Sequence, residues 1–488
     1  MKNLLLFVAV SLLLTMTTVA QKVGDIKTEP HTFTANDKQK IEAEFGRIYV
    51  PERHSKPNGK LIELAFVRFK STAKTSSFPI IYLAGGPGGS GINWAKGARF
   101  PLFMAMREFG DVIALDQRGA GLSKPNMSCL EKLDYPLDKP AERAEALRLY
   151  QEKSKSCAEV WRKQAVDLTA YNTNENADDL EVLRKALDAR KITLWGSSYG
   201  THLGLAFIRR HEKSVYRAIF SGAEGTDDTF KLPSALDAQL KLVRDSVNKD
   251  AILREKIPGF IELVKRVFAK LEKESVEVKT GHGKIKLGKF DLQQLTIALP
   301  GDRAGKEVLP ALFHDFNKGN YDSPLLKYFA QIIAQQRPGS IGSAMAFATD
   351  CASFASKSRL ARINREGRTS ILGDKPEFPF PEVCRAWGNF KLDENFRRPV
   401  KSNVKVLFLS GTFDGRTPPS NVEEILKDFP NASHVLIEGA GHGDELFVSS
   451  PKIEDVMLEF MRDIPLSTQK KSRFPSFGFN RFNQRNKL

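Results

Sequence analysis

A serine in the middle of the chain lies in a pattern typical of a nucleophile. Residues 196–200 read Gly-Ser-Ser-Tyr-Gly, which matches G-x-S-x-G, and they stand between an apolar stretch and a helical one. At a sharp strand-to-helix turn the central serine is held in a strained backbone, and small neighbours let the chain pack closely around it. The helix that follows directs its N-terminus at the serine and favours the negative charge that develops during acyl transfer. We therefore predict that Ser198 is a nucleophile.

A serine nucleophile needs a base, and the base needs a carboxylate that orients it. His442 lies between two glycines just after the last predicted strand, so the loop can direct its imidazole towards the serine. Asp414 follows another predicted strand, in a loop expected to face the same side. The order serine, aspartate, histidine along the chain is the order that one large class of serine hydrolases uses. Glu438 is the alternative acid, and a place in a surface turn is the alternative role of His442.

A glycine-rich loop, residues 85–91, follows a predicted strand and can supply backbone N–H groups to a developing oxyanion. Pro87 has no N–H, so we predict that Gly86 is the donor from this loop. Tyr199, directly after the nucleophile, is the second predicted donor. These two N–H groups complete the predicted site for acyl transfer.

The same loop also matches G-x-G-x-x-G, the fingerprint of dinucleotide binding, with Asp111 or Asp116 at a suitable distance for a ribose contact. That interpretation leaves the serine, aspartate and histidine unexplained. The sequence has no H-E-x-x-H pattern and no cluster of cysteine and histidine ligands. We therefore expect an enzyme that uses neither a cofactor nor a metal.

The predicted elements that carry these residues alternate between strand and helix, which is typical of an α/β protein with a mainly parallel sheet. Predicted strands cover 42–50, 61–69, 78–83, 111–115, 191–195, 215–220, 404–409 and 434–437, and predicted helices cover 177–189, 201–210 and 453–462. Between about 225 and 398 the pattern changes to long helical stretches with few strand signals. We expect a core formed by 21–224 and 399–465, an inserted helical cap at 225–398 and a basic tail at 466–488.

The first twenty residues have the pattern of a secretory signal peptide, with a positive start, a short apolar run and small residues before a cleavage site after Ala20. An uncleaved anchor helix is the alternative. The four cysteines fit an oxidising compartment, and we favour the pairs Cys129–Cys157 and Cys351–Cys384, because each closes a modest loop. We expect a secreted or periplasmic protein with no further segment inserted in a membrane.

The net charge of +16 is spread along the chain, so we predict no nucleic-acid partner. The charge is concentrated only in the tail, 466–488, where basic residues and phenylalanines are interleaved without any acid. A solvated, disordered tail is the simpler interpretation. Electrostatic contact with an anionic membrane or cell-surface polymer is the alternative.

Six short segments carry a more specific signal: GGPGGSG at 85–91, DQRGAGLS at 116–123, LWGSSYGT at 194–201, SGTFD at 410–414, TPP at 417–419 and GHG at 441–443. Residues 171–173 and 178–180, and Cys384 with Trp387, add weaker similarity. Over about 40–462 the chain resembles the tripeptidyl aminopeptidase and proline iminopeptidase group of α/β-hydrolases. One departure is Ala84, which stands where many proline iminopeptidases have histidine. The resemblance implies the α/β-hydrolase fold.

The resemblance also implies an exported serine peptidase that releases residues or short peptides, tripeptides among them, from peptide N-termini through an acyl-enzyme. Exopeptidases of this group bind the substrate amine with acidic side chains, and Glu224 is the candidate here, with ordinary solvation as its alternative role. The expected partners are peptides with a free N-terminus. A secreted carboxylic-ester hydrolase is the alternative enzyme. A non-catalytic binding protein that retains the fold is the alternative of another class.

Overall fold

The computed structural model describes residues 21–74, 77–281, 283–301, 303–373, 376–388, 390–466 and 472–473. The predicted signal peptide lies outside these residues, and so does the predicted tail apart from 466 and 472–473. Within the described ranges, no helix is both long enough and apolar enough to cross a bilayer.

The described strands number fourteen, and ten of them form one sheet. They are β1 Ile26–Thr34, β2 Lys40–Pro51, β3 Leu61–Phe69, β4 Ile80–Leu83, β5 Val112–Leu115, β6 Ser128–Lys132, β7 Ile192–Ser197, β8 Val215–Ser221, β9 Val276–Thr280, β10 Gly283–Leu287, β11 Ser340–Ser343, β12 Lys405–Gly411, β13 Ala432–Glu438 and β14 Ser472–Arg473. The order in the large sheet is β1-β2-β3-β5-β4-β7-β8-β12-β13-β14.

The large sheet is antiparallel at one edge, from β1 to β5, and parallel from β5 onwards. The carboxyl ends of the parallel strands therefore meet at one edge of the sheet. The loops after β4, β7, β12 and β13 lie at that edge, and they carry Gly86, Ser198, Asp414 and His442 respectively. The structure confirms the predicted α/β fold with a mainly parallel sheet.

The strand β1 has no counterpart among the predicted strands. It lies at the edge of the sheet, contains Pro30 and is exposed along most of its length. Proline is tolerated in edge strands, and an exposed strand carries few of the apolar residues that reveal a buried one.

Helices lie on both faces of the sheet and in the inserted region. They are α1 Gly91–Lys96, α2 Phe100–Met106, α3 Arg143–Lys163, α4 Thr173–Ala186, α5 Tyr199–His211, α6 Pro233–Lys249, α7 Ala251–Lys256, α8 Phe260–Lys273, α9 Lys289–Ala298, α10 Arg303–Lys318, α11 Pro324–Gln336, α12 Ala344–Ser353, α13 Lys357–Gly367, α14 Cys384–Trp387, α15 Pro419–Ile425, α16 Glu445–Val448 and α17 Pro451–Met461.

The central strands are buried on both faces, which explains their continuous apolar sequence. In β4 all four residues are buried; Ile81 packs with the cluster on one face that contains Phe207 of α5. Its neighbour Tyr82 packs with the opposite cluster, which contains Phe103 of α2 and Met457 of α17. The strand is therefore fixed between two apolar layers, and the loop that follows it is held in place.

The region 225–398 contains α6 to α14 with its own apolar core, and it also contains the short strands β9, β10 and β11. The strand β11 pairs with β6, so residues that precede the nucleophile turn pack with this inserted region. Both predicted disulfides are present and are confirmed: Cys129–Cys157 joins β6 to α3, and Cys351–Cys384 joins α12 to α14.

Candidate active site

The turn between β7 and α5 has the backbone that the sequence pattern predicts. Ser198 has φ 53° and ψ −124°, a conformation that L-residues rarely adopt. A Cβ on Gly200 would lie 1.9 Å from the carbonyl oxygen of Leu83, and one on Gly196 would lie 2.7 Å from the carbonyl oxygen of Gly200. The two glycines are therefore required by the close approach of the chain, and the turn projects the serine hydroxyl above the sheet.

The His442 side chain lies between the hydroxyl of Ser198 and the carboxylate of Asp414. Its Nε2 is 3.0 Å from Ser198 Oγ, and its Nδ1 is 2.8 Å from Asp414 Oδ2. The backbone N–H of His442 donates to the carbonyl of Gly301, in the 3₁₀ turn Leu299–Gly301 of the inserted region. The structure thus brings together the three side chains that were predicted from the sequence. The inserted region contacts one of them, His442, through its backbone.

The Asp414 carboxylate is completely buried and is held by several donors. Its Oδ1 accepts hydrogen bonds from the N–H groups of Arg416 and Thr417, and its Oδ2 accepts one from Thr417 Oγ1 at 2.6 Å. Burial raises the pKa of Asp414, but His442 and the donors outweigh it, so the pKa is lower than usual. A charged carboxylate in this position favours the imidazolium that forms when His442 takes a proton.

Thr417 also lies 3.2 Å from His442 Nδ1, so it contacts both partners of the pair. In the sequence, Thr417 stands out only as part of the segment TPP at 417–419. The alternative acid, Glu438, is exposed at the end of β13, whereas the buried carboxylate that faces His442 Nδ1 is that of Asp414. The structure therefore favours Asp414 over Glu438.

The glycine-rich loop lies directly against the nucleophile turn. A Cβ on Gly85 would lie 2.8 Å from the Cβ of Ser198, and Gly86 has φ +128°, which favours glycine. Tyr199 is the first residue of α5, a position whose N–H has no acceptor within the helix. Both predicted donors therefore belong to backbone segments that adjoin Ser198.

The Asp116 side chain stabilises the conformation of the glycine-rich loop through hydrogen bonds. Its fully buried carboxylate accepts hydrogen bonds from Ser90 Oγ and from the N–H groups of Ile92 and Leu122. Burial raises the pKa of this carboxyl. Because the carboxylate is bonded to the loop itself, it does not face a ribose as the dinucleotide interpretation requires.

Glu224 is buried, and its backbone N–H donates to the hydroxyl of Thr201, three positions after the nucleophile, so the alternative of ordinary solvation is wrong. Its side chain forms an ion pair with Lys231 at 2.7 Å and lies 3.8 Å from the Nδ1 of His202. The structure adds two carboxylates that sequence reasoning missed, Asp350 on α12 and Glu377. Neither has a hydrogen-bond or ion-pair partner among the described residues. No motif marked these two acids, because both lie in the inserted region.

The three carboxylates interact through their charges. Burial raises the pKa of Asp350 well above its usual value, and the charge of Glu224 raises it further. Burial also raises the pKa of Glu377, against the opposing effect of Lys231. The charges of Arg416 and Arg359 act on Glu377 as well. We call Glu224, Asp350 and Glu377 the acidic cluster.

A cleft of about 390 Å³ opens beside His442 and gives access to the site. Its walls include Gly301, Arg416 and the loop from His442 to Glu445. The His442 side chain is only 16% exposed. Small or extended molecules can therefore reach the imidazole, while the inserted region restricts the approach of larger ones.

Residues 79–446 match the family model described as the alpha/beta hydrolase fold, which is more than half of the chain. The chain therefore belongs to the α/β-hydrolase family. A putative hydrolase of Escherichia coli K12, YuaR, is 24% identical over 408 residues, which cover 80% of this chain and 78% of that protein.

Two further relatives are named as peptidases. The tripeptidyl aminopeptidase of Streptomyces coelicolor is 33% identical over 174 residues, which cover 33% of this chain and 31% of that protein. The serine protease Hip1 of Mycobacterium tuberculosis is 31% identical over 188 residues, which cover 36% of this chain and 35% of that protein. The aligned segment thus spans about a third of each peptidase, and the resemblance predicted from the motifs is confirmed.

Proposed function

We propose that this protein is an exported serine exopeptidase that releases residues or short peptides, tripeptides among them, from the N-termini of peptides. The observation that carries the proposal is the hydrogen-bonded triad of Ser198, His442 and Asp414, together with the acidic cluster, two of whose members act on the side chain of Tyr199 directly after the nucleophile. The names of the peptidase relatives support the substrate class. The signal-peptide pattern and the two disulfides support export.

In the acylation step, Ser198 Oγ attacks the carbonyl carbon of the scissile peptide bond while His442 Nε2 takes the hydroxyl proton. The charge on Asp414 stabilises the resulting imidazolium. The N–H groups of Gly86 and Tyr199 donate to the oxyanion of the tetrahedral intermediate. The imidazolium then gives its proton to the leaving amine, the C–N bond breaks, and the acyl-enzyme remains.

In the deacylation step, His442 takes a proton from water, and the hydroxide attacks the ester carbonyl of the acyl-enzyme. The second tetrahedral intermediate collapses as the imidazolium returns the proton to Ser198 Oγ. The released product is the N-terminal residue or short peptide, with a new carboxylate.

The acidic cluster gives a physical reason for preferring a free N-terminus. The charges of Lys231 and Arg416 act on Glu377 from beyond ion-pair distance. Lys231 forms its ion pair with Glu224, and neither Asp350 nor Glu377 has a positive charge in ion-pair contact among the described residues. The α-ammonium group of a substrate would supply that charge and would favour the ionised form of both carboxyls. An acetylated N-terminus has no charge and would gain nothing from the cluster.

The test uses the mature protein and a Ser198→Ala variant with aminoacyl, prolyl and tripeptidyl amides, each with a free or an acetylated N-terminus, and with a short-chain ester. We expect cleavage of the free peptides only, and a loss on the order of a millionfold in Ser198→Ala. Cleavage of the ester alone would favour the alternative, a secreted carboxylic-ester hydrolase. Unchanged turnover in Ser198→Ala would contradict the assignment of the nucleophile.

A further inference from the structure

A buried arginine lies behind the candidate active site. Arg99, which immediately precedes α2, is only 1% exposed. Its Nε donates to Asp444 Oδ1 at 2.7 Å, and its Nη1 donates to Ser197 Oγ at 3.2 Å and to the hydroxyl of Tyr82. A buried guanidinium is costly unless it is paired and hydrogen-bonded, so these contacts determine where Arg99 can lie.

Two aromatic rings enclose the same guanidinium. Its carbon lies 3.8 Å from the centre of the Phe447 ring and 4.3 Å from the centre of the Trp94 ring. Both contacts are within the range of cation–π attraction, which is stronger where water is excluded. Trp94 is on α1, directly after the glycine-rich loop, and Phe447 is on α16, shortly after His442.

The partners of Arg99 come from the nucleophile turn, from the histidine loop and from the segments on both sides of the glycine-rich loop. Ser197 precedes the nucleophile, Asp444 lies two positions after His442, and Tyr82 is on the strand that leads into the glycine-rich loop. These segments are far apart in sequence, and the guanidinium contacts all of them. The arrangement therefore connects the backbone of the nucleophile turn with the backbone of the histidine loop.

We infer that Arg99, through its ion pair with Asp444, is a positioning residue that keeps His442 Nε2 aligned with Ser198 Oγ. Arg99 touches neither the reacting atoms nor the substrate. The inference rests on the serine-hydrolase chemistry proposed above, but it does not depend on which acyl substrate is cleaved. Displacing a reacting group by about 1 Å can reduce the rate on the order of 100-fold.

The test variant is Asp444→Asn, because Asp444 is 42% exposed and its replacement preserves size while removing the charge. The chain offers a matched control at the opposite end of the sheet. Arg217 is 3% exposed, pairs with the 48% exposed Asp463 at 2.8 Å and stacks on Tyr216. Asp463→Asn therefore removes a similar ion pair, together with a second one to Lys405, away from the site.

The measurements are the rate of labelling by a fluorophosphonate probe, and kcat and KM for p-nitrophenyl acetate, with folding checked by circular dichroism and thermal melting. For Asp444→Asn we expect labelling and kcat to fall by about tenfold or more, with KM changed less than about twofold. For Asp463→Asn we expect both rates to stay at the wild-type value. A folded Asp444→Asn protein that reacts at the wild-type rate would overturn the inference.

A double-mutant cycle with Arg99→Met separates positioning from general destabilisation. If the pair acts as a unit, Asp444→Asn should add little to the loss caused by Arg99→Met, and Arg99→Lys should restore part of the rate. Independent, additive losses would contradict the inference. If Arg99→Met does not fold, the comparison of Asp444→Asn with its control Asp463→Asn still tests whether the ion pair positions His442. Wild-type protein that is not labelled at Ser198 would instead contradict the proposed function.

Discussion

At the scale of single residues, the site contains carboxyl groups whose pKa values are shifted in opposite directions. Asp414 is kept ionised by His442 and by donors from Arg416 and Thr417, and its pKa is lowered despite burial. Asp350 and Glu377 are half-buried and have no such donors among the described residues, and desolvation raises their pKa values. For Asp414 the charge of His442 and the donors together outweigh burial, whereas burial prevails for Asp350 and Glu377, as it also does for the hydrogen-bonded Asp116.

The raised pKa values predict how substrate binding depends on pH. A carboxyl with a raised pKa becomes neutral at a pH where an ordinary carboxyl is still charged, so it loses its attraction for an ammonium group as the pH falls through that pKa. We expect KM for a peptide with a free N-terminus to rise below that pH, by up to about tenfold per pH unit for one proton. KM for a neutral ester should stay nearly constant. Steady-state kinetics from pH 5 to 8 would measure both.

The same prediction can be tested by substitution at fixed pH. Asp350→Asn or Glu377→Gln should raise KM for the free peptide by about 10-fold to 100-fold, the effect of losing a charge-assisted contact of about 1.5–3 kcal/mol. The control is Asp237→Asn in α6, since burial also raises the pKa of Asp237 but its carboxylate is bonded to Ser370 and Ile371. An equal rise in KM for the control would contradict a specific role of the cluster.

At the scale of the elements, the site depends on how closely the helix α5 approaches the strand β4. A Cβ on Gly200 would lie 1.9 Å from the carbonyl oxygen of Leu83, a distance that no side-chain rotation can relieve. We expect Gly200→Ala to destabilise the protein by about 2 kcal/mol or more, because overpacking forces the backbone to shift. Thermal melting and the rate of fluorophosphonate labelling would both fall.

The comparison variant is Gly97→Ala, at the end of α1. There φ is −82°, and the nearest atom to an added Cβ is a carbonyl oxygen at 3.5 Å. This substitution should change the melting temperature little, since the added Cβ has room there and the φ angle is one that alanine adopts. Equal losses in the two variants would show that the approach of α5 to β4 is not the cause.

At the scale of the whole molecule, a disulfide holds the parts of the inserted region that carry the acidic cluster. Cys351 follows Asp350 on α12, and its partner Cys384 begins α14, shortly after Glu377. Replacing both cysteines by serine should destabilise the protein by about 3–4 kcal/mol. It should also raise KM for free peptides by about tenfold, which corresponds to about 1.4 kcal/mol. Turnover of the ester by the folded variant should be nearly unchanged.

The other disulfide, Cys129–Cys157, is the matched control. The two bridges join residues 28 and 33 positions apart, so their removal should destabilise the protein similarly. Cys129 and Cys157 join β6 to α3 and carry no residue of the cluster. Their replacement should therefore leave KM for free peptides unchanged, and a rise like that of the first variant would contradict the prediction.

The sequence by itself determined the features that depend on short-range geometry. The nucleophile turn needs small residues within a few positions, because the chain turns sharply and packs closely there, and so its pattern is readable at 196–200. The glycine-rich loop is readable for the same reason, whereas Asp414 and His442 were found from their places after predicted strands and from the order of the three residues along the chain. Buried strands such as β4 show continuous apolar residues, whereas the exposed strand β1 does not and was missed.

Only the tertiary structure decided which charged residues act together. Asp350, Glu377 and Lys231 belong to the inserted region, and Arg99 lies far from Asp444 in sequence. The sequence patterns of these residues resemble those of ordinary surface charges. The pairing of these residues is set by how segments distant in sequence pack together. The electrostatic energy of a charge depends on its surroundings in the fold rather than on its neighbours along the chain.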